Sequence, residues 1–198
     1  MTNPRGRPRE YDPDQALDAA MMVFWAQGFS GTSLDDLASA MNMNRPSLYN
    51  AFGDKESLYR LALAGVVAEL KRGVGASLSA EPDLEKGLRS FYYSALEIYF
   101  ATEPAPGCFV MCTAPVEALT HPEVRSDVRA VIAELDGVLS RRFAKAQADR
   151  QFPAAGDPKA AAKVAQAVLH SLAIRARSGE SKASLRKMAR DAVRVLST

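Results

Sequence analysis

Residues 44–55 bring together side chains that read nucleic acid. Arg45, Ser47, Tyr49 and Asn50 share the outer face of a short helical segment that Leu48 and Phe52, four residues apart, anchor inward. Arginine can grip guanine, asparagine can grip adenine, and hydroxyls reach phosphate. Thr32 and Ser33 stand at the start of the preceding helix, whose free N–H groups suit a phosphate, and Lys55 opens the following one. Plainer readings stand beside these. Ser33 and Asn44 are caps whatever else they do. Tyr49 is by spacing alone equally a half-buried core aromatic. Arg45 has no obvious acidic partner, which favours recognition.

Other chemistry finds little footing. His121 and His170 are far apart, and there is no metal-spacing cluster, nucleophile elbow or phosphate loop. An enzyme is not expected, and neither is a cofactor or a metal. Cys108 follows Pro106 and Gly107 at the predicted start of a helix, where backbone N–H groups would lower a thiol pKa. Cys112 lies one turn on, too close in direction for an unstrained disulfide. The alternative is that both are small buried apolar residues.

The elements that must position these groups are all helical. No strand-like alternation bounded by turns is present. Asp12 and Pro13 start a helix carrying Leu17, Ala20, Met21 and Phe24, which Gly28 ends. Ser33 and Asp36 make a capping box for a short helix, Met41 to Met43 a turn, Asn44 a cap for the next helix, and Gly53-Asp54 a break before a long one through Leu70. Residues 77–83 form a second break and 102–107 a loop. Phe109 to Leu119 is apolar enough to be buried on most sides. Long helices follow over about 123–150, 158–177 and 182–196. The 198 residues, 47% hydrophobic and 24% charged, suit a folded chain of one domain or two small ones, with no membrane-length apolar run and no secretory signal expected. Two cysteines fit a reducing cytoplasm.

A net charge of +2 hides an uneven distribution. Arg5, Arg7 and Arg9 lie in an acid-free arm broken by proline and glycine, suited to tracking phosphates or entering a minor groove, or simply to solubility. Residues 10–40 hold acids and no base, while the basic residues after 175 suit a solvated helix face.

The order Gly28-Phe29, Thr32-Ser33, Leu37-Ala38, Ser47-Leu48-Tyr49, then Phe52 to Glu56 resembles the tetracycline-repressor (TetR) family of bacterial transcriptional regulators across roughly residues 9–70. The turn has Asn42 where many members have glycine, and asparagine tolerates the left-handed conformation. Arg45-Pro46 is a less common opening of the recognition helix. The resemblance implies Thr32, Tyr49 and Lys55 as phosphate contacts, and Arg45, Ser47 and Asn50 as base readers. Pro46 would meet a thymine methyl, and Arg5 and Arg7 would make accessory groove contacts. It implies an all-α chain: an arm at 1–8, a three-helix DNA-binding domain at 9–69 with the helix-turn-helix near 32–51, and a ligand-sensing and dimerisation domain at 70–198.

Family members are homodimers, so double-stranded, roughly palindromic operator DNA and a second copy of the chain are the expected partners. The last two helices are the expected interface, through Val164, Val168, Leu172, Leu185, Met188, Ala192 and Leu196, although such stripes can also pack inside one chain. The family layout further implies a cavity for a small, largely apolar effector. Its expected contacts are Phe91, Tyr92, Tyr99, Phe109, Cys112, Glu117 and His121, against the plain-core reading of an aromatic stripe. The chain is thus expected to be a ligand-released repressor of adjacent genes. A variant senses electrophiles or oxidants through Cys108, as some family members do with a cysteine near this place. A helical protein-interaction module leaves residues 32–56 unexplained.

Overall fold

Asp12 accepts the Asp14 N–H at 3.0 Å and Pro13 fits the first turn, so helix α1 (Pro13–Gly31) starts where the cap predicts. Gly28, at φ +74°, kinks it, and one further turn reaches Gly31. In helix α2 (Leu34–Ala40) the Ser33 hydroxyl accepts the Asp36 N–H at 3.1 Å while the Asp36 carboxylate accepts the Ser33 N–H at 2.9 Å. Asn42 turns the chain at φ +50°, and Asn44 accepts the Ser47 N–H at 2.8 Å to open α3 (Arg45–Phe52). Asp54 accepts from Ser57 at 2.7 Å and opens α4 (Lys55–Leu70). These observations come from a computed structural model that describes residues 11–197; Arg5, Arg7 and the rest of the arm lie outside them.

Two compact units divide between Ala62 and Leu63, within α4. The first unit is held by Phe24, Phe29 and Tyr59, with the Tyr59 ring edge-on to Phe24 at 5.1 Å, and by the fully buried Leu37, Leu48 and Leu58. Leu61, one turn on from buried Leu58 in α4, is exposed.

In the second unit the chain stays helical longer than expected. A π-helical turn, Lys71–Gly75, leads directly into α5 (Ala76–Ala80), and the break comes only at 81–83. Buried Leu78 holds the segment, and the Ser77 hydroxyl donates to the Val74 carbonyl within the helix rather than competing for a turn. There follow α6 (Leu84–Tyr99), α7 (Phe109–Glu117), α8 (Pro122–Ala148), α9 (Pro158–Arg177) and α10 (Lys182–Ser197). Helix α8 packs along α9, and α10 packs on α6 and α9. Glu97 of α6 receives Lys182 at 2.6 Å and Arg186 at 2.8 Å, tying α10 down. The apolar run at 109–119 is buried only in part: Val116 and Leu119 are exposed, since composition does not say which side a neighbour covers. No strand occurs among the described residues, and no helix there is long and apolar enough to cross a membrane.

Candidate functional site

Helix α3 is anchored by one side chain. Leu48 is fully buried, Phe52 is half-buried, and Arg45, Pro46, Tyr49 and Asn50 are exposed, with Tyr49 at 46%. Tyr49 is therefore a surface group and not a core aromatic. Ser47 is half-buried at the start of the helix. Arg45, against expectation, has an acidic partner: Nε donates to Asp35 Oδ1 at 2.7 Å and Nη2 to Oδ2 at 2.5 Å. Ten residues separate the pair in sequence, and the turn between α2 and α3 closes the distance. The guanidinium's hydrogen bonds hold the Asp35 carboxyl below its ordinary pKa, and the carboxylate raises that of Arg45.

Two expected phosphate contacts are otherwise engaged. Thr32 is buried and its hydroxyl donates to the Gly28 carbonyl at 2.6 Å. The Ser33 hydroxyl donates to Asp36 at 2.6 Å within the capping box. Both shape the entry to α2. Lys55 lies at the start of α4 with its ammonium 4.4 Å from the centre of the Phe29 ring.

The second unit holds a half-open cavity of about 1010 Å³. Its wall is built from the end of α4 and the π-turn (Val67, Leu70, Val74), from α6 (Phe91, Ala95, Tyr99) and from α8 (Val131, Leu135, Val138). Of the expected contacts, Phe91 and Tyr99 line it. Tyr92, Phe109, Cys112, Glu117 and His121 do not. Tyr92 turns to α9 and donates to the Ala165 carbonyl at 2.9 Å. Phe109 is buried in the protein core, and the Cys112 thiol faces the Ala173 carbonyl at 3.8 Å. Buried Glu117 lies 3.8 Å from His121 Nδ1 at the far end of α7. Sequence reading followed the aromatics of α6 and missed the π-turn, whose lining role has no local signature. In α8, Val131, Leu135 and Val138 recur at helical spacing, which by itself does not tell a cavity wall from packed core.

Cys108 does line the cavity and does cap α7, yet its thiol is pushed up to about 11 by burial. The Met111 and Val110 N–H groups favour the thiolate, but desolvation outweighs them, so the expected lowering is reversed. His170, also in the wall, has its pKa lowered by burial against a weaker opposing pull from Asp136.

On the outer face of α9 and α10 runs an apolar groove lined by Val164, Val168, Met188, Ala192, Val195 and Leu196. Val164 and Val195 are 52% and 75% exposed. Leu172 and Leu185, expected there, are fully buried inside the chain: their stripe faces α6 and the rest of the core.

A capped short helix, a left-handed turn, and a second short helix standing out on one buried leucine make a helix-turn-helix. Residues 16–62 match the family described as bacterial regulatory proteins, tetR family, and residues 85–192 match the tetracyclin repressor-like C-terminal domain. The chain belongs to the TetR family. Its relatives include the HTH-type transcriptional repressor ComR of Escherichia coli K12, 28% identical over 96% of this chain and 91% of that protein. Another is the HTH-type transcriptional repressor BdcR of the same organism, 41% identical over 29% of each chain. Among solved structures, a cysteine mutant of the TetR family regulator CifR, complexed with 26 bp double-strand operator DNA, superposes with a TM-score of 0.85 at 31% identity, covering 95% of this chain and 98% of that one. As a TetR-family chain, this protein is a DNA-binding transcriptional regulator.

Proposed function

We propose that the protein is a repressor that binds a roughly palindromic operator as a homodimer and leaves it when a small molecule fills the second-unit cavity. The observation that carries the reading is α3: four polar or reactive-faced positions, Arg45, Ser47, Tyr49 and Asn50, displayed over a single buried anchor, Leu48. Arg45, Pro46, Ser47 and Asn50 are assigned to base edges, and Tyr49 and Lys55 to phosphates. Residues up to about 62 form the reading unit and the remainder the sensing and pairing unit.

The apolar groove of α9 and α10 is the pairing surface. Exposed Val164 and Val195 gain from burial against a second copy, and two-fold pairing sets two recognition helices about 34–36 Å apart. Helix α4 runs from the reading unit to the cavity wall at Val67 and Leu70, so a ligand that favours one position of its end biases half-site spacing. Regulation rather than catalysis is the activity, and it takes place in the cytoplasm with the DNA. The decisive experiment is selection of bound duplexes from a randomised pool followed by gel shift. Retained binding by an Arg45→Ala, Tyr49→Ala double variant defeats the DNA assignment.

A second reading has one observation in its favour: Cys108 is part of the cavity wall, so an electrophile entering the cavity comes up against that residue. An unchanged operator response in Cys108→Ser after exposure to a small electrophile excludes it.

A further inference from the structure

The cavity wall carries more positive charge than its apolar lining suggests. Five cations, Lys71, Arg72, Arg141, Arg142 and Lys145, stand against two carboxylates, Glu81 and Glu134. Lys71 is paired with Glu134 at 2.6 Å, and Lys145 with Asp149 at 2.8 Å. Arg142 differs from both. Its side chain is only 8% exposed, and no carboxylate lies within ion-pair distance of it among the described residues.

The guanidinium is held from one side. Nη2 donates to the Glu81 carbonyl at 3.2 Å and to the Pro82 carbonyl at 3.1 Å, where α5 has ended. Gly87 makes room for it: a Cβ there would lie 3.4 Å from Nη2 and 3.0 Å from the Leu78 carbonyl. Nη1 is buried without any hydrogen-bond partner. A buried cation with an unused donor is unfavourable unless an anion completes it. The rest of the wall, with Phe91, Leu135 and Val138, is apolar.

We propose that the effector is an amphipathic monoanion, an apolar body carrying one carboxylate, with the carboxylate accepting from the Arg142 guanidinium as it turns toward the cavity that Arg142 lines. This rests on the cavity being the effector site, as argued above, and replaces a merely apolar effector with an acidic one. Arginine suits the task because its planar fork holds a carboxylate in a fixed direction.

Titration calorimetry of the full chain with octanoate and with 1-octanol, which share the apolar body and differ in charge, tests it. Octanoate is expected to bind at least about ten-fold tighter at pH 7. In Arg142→Met, checked for folding by its helical circular dichroism and melting, the two ligands are expected to bind alike, with octanol unchanged. The wild-type ratio decides the matter even if that variant does not fold. Octanol binding as tightly as octanoate overturns the proposal while leaving the cavity reading intact. An octanoate preference that survives in folded Arg142→Met overturns the role of Arg142. Binding of neither ligand overturns the proposal and counts against the cavity reading, whereas the DNA reading is judged separately by gel shift.

Discussion

Asp35 and Arg45 form a two-pronged ion pair that clips the start of α2 to the start of α3. Both groups are exposed, so the pair adds little stability. Its consequence lies in recognition: the guanidinium assigned to base reading is already oriented, and already has an anion. Binding DNA must either keep the clip, with Arg45 reaching a base by its remaining N–H groups, or exchange a carboxylate for guanine. Asp35→Asn removes a negative charge beside the DNA and releases Arg45. Affinity for random duplex is expected to rise several-fold, with a smaller gain on operator, so discrimination falls. Fluorescence anisotropy on both duplexes reads this directly; equal gains on both would mean that the clip does not orient Arg45.

Base and phosphate contacts separate by their salt dependence. Asn50→Ala is expected to lose about 1–3 kcal/mol on operator and to relax sequence preference at one position. Lys55→Ala is expected to weaken all duplexes alike and to lower the salt slope by about 1. Anisotropy titrations across a range of salt concentrations separate the two. A Lys55→Ala loss confined to operator contradicts the phosphate assignment.

Pairing through α9 and α10 predicts that charge in the groove separates the copies. Val164→Glu, at a site 52% exposed in one chain, leaves the fold intact and is expected to give a monomer in sedimentation with a large loss of operator affinity. The buried Leu172 and Leu185 behave differently. Leu185→Ala is expected to cost about 2–5 kcal/mol of folding stability in thermal melting, because it opens a cavity within the chain.

Burial of Cys108 has a pH signature. Its folded pKa, about 11, lies above the unfolded thiol value of about 8.5, so the folded state holds its proton longer. Folding stability from this group is fully present below about pH 8.5 and falls as pH rises toward 11. Melting curves of wild type and Cys108→Ser should therefore converge between pH 8 and pH 10. Iodoacetamide at pH 7.5 is expected to label the half-buried Cys112 well before Cys108. Mass spectrometry showing Cys108 labelled first would restore a reactive thiol.

Gly107 and Gly179 share a left-handed backbone, at φ +70° and +88°. A Cβ at Gly107 would stand 2.6 Å from the Ala173 carbonyl and 2.9 Å from the Cys112 sulfur, whereas at Gly179 it meets nothing. Gly179→Ala should cost about 1–2 kcal/mol from backbone strain alone. Gly107→Ala should cost clearly more, and similar melting temperatures for the two variants would remove the steric part of the argument.

Local physics was legible in the residue order. Asp12, the Ser33–Asp36 box, Asn44 and Asp54 each satisfy backbone donors within a few positions, so helix starts depend on neighbours alone. Leu48 as the anchor of α3 and the exposed Arg45 and Asn50 follow from a 3.6-residue period, whereas the same spacing left Tyr49 open between surface and core. What only tertiary structure decided is what each face meets. Asp35 reaches Arg45 because a turn folds two helices together. Tyr92 faces α9 while Phe91 and Tyr99 face the cavity. Leu172 is core although Val164, on the same helix, is bare. Cys108 stands at a helix start, as its neighbours dictate, yet its thiol obeys the desolvation imposed by residues distant in sequence. Periodicity and capping are short-range and show in the sequence. Burial, pairing and the unmet charge of Arg142 are sums over the whole packed unit.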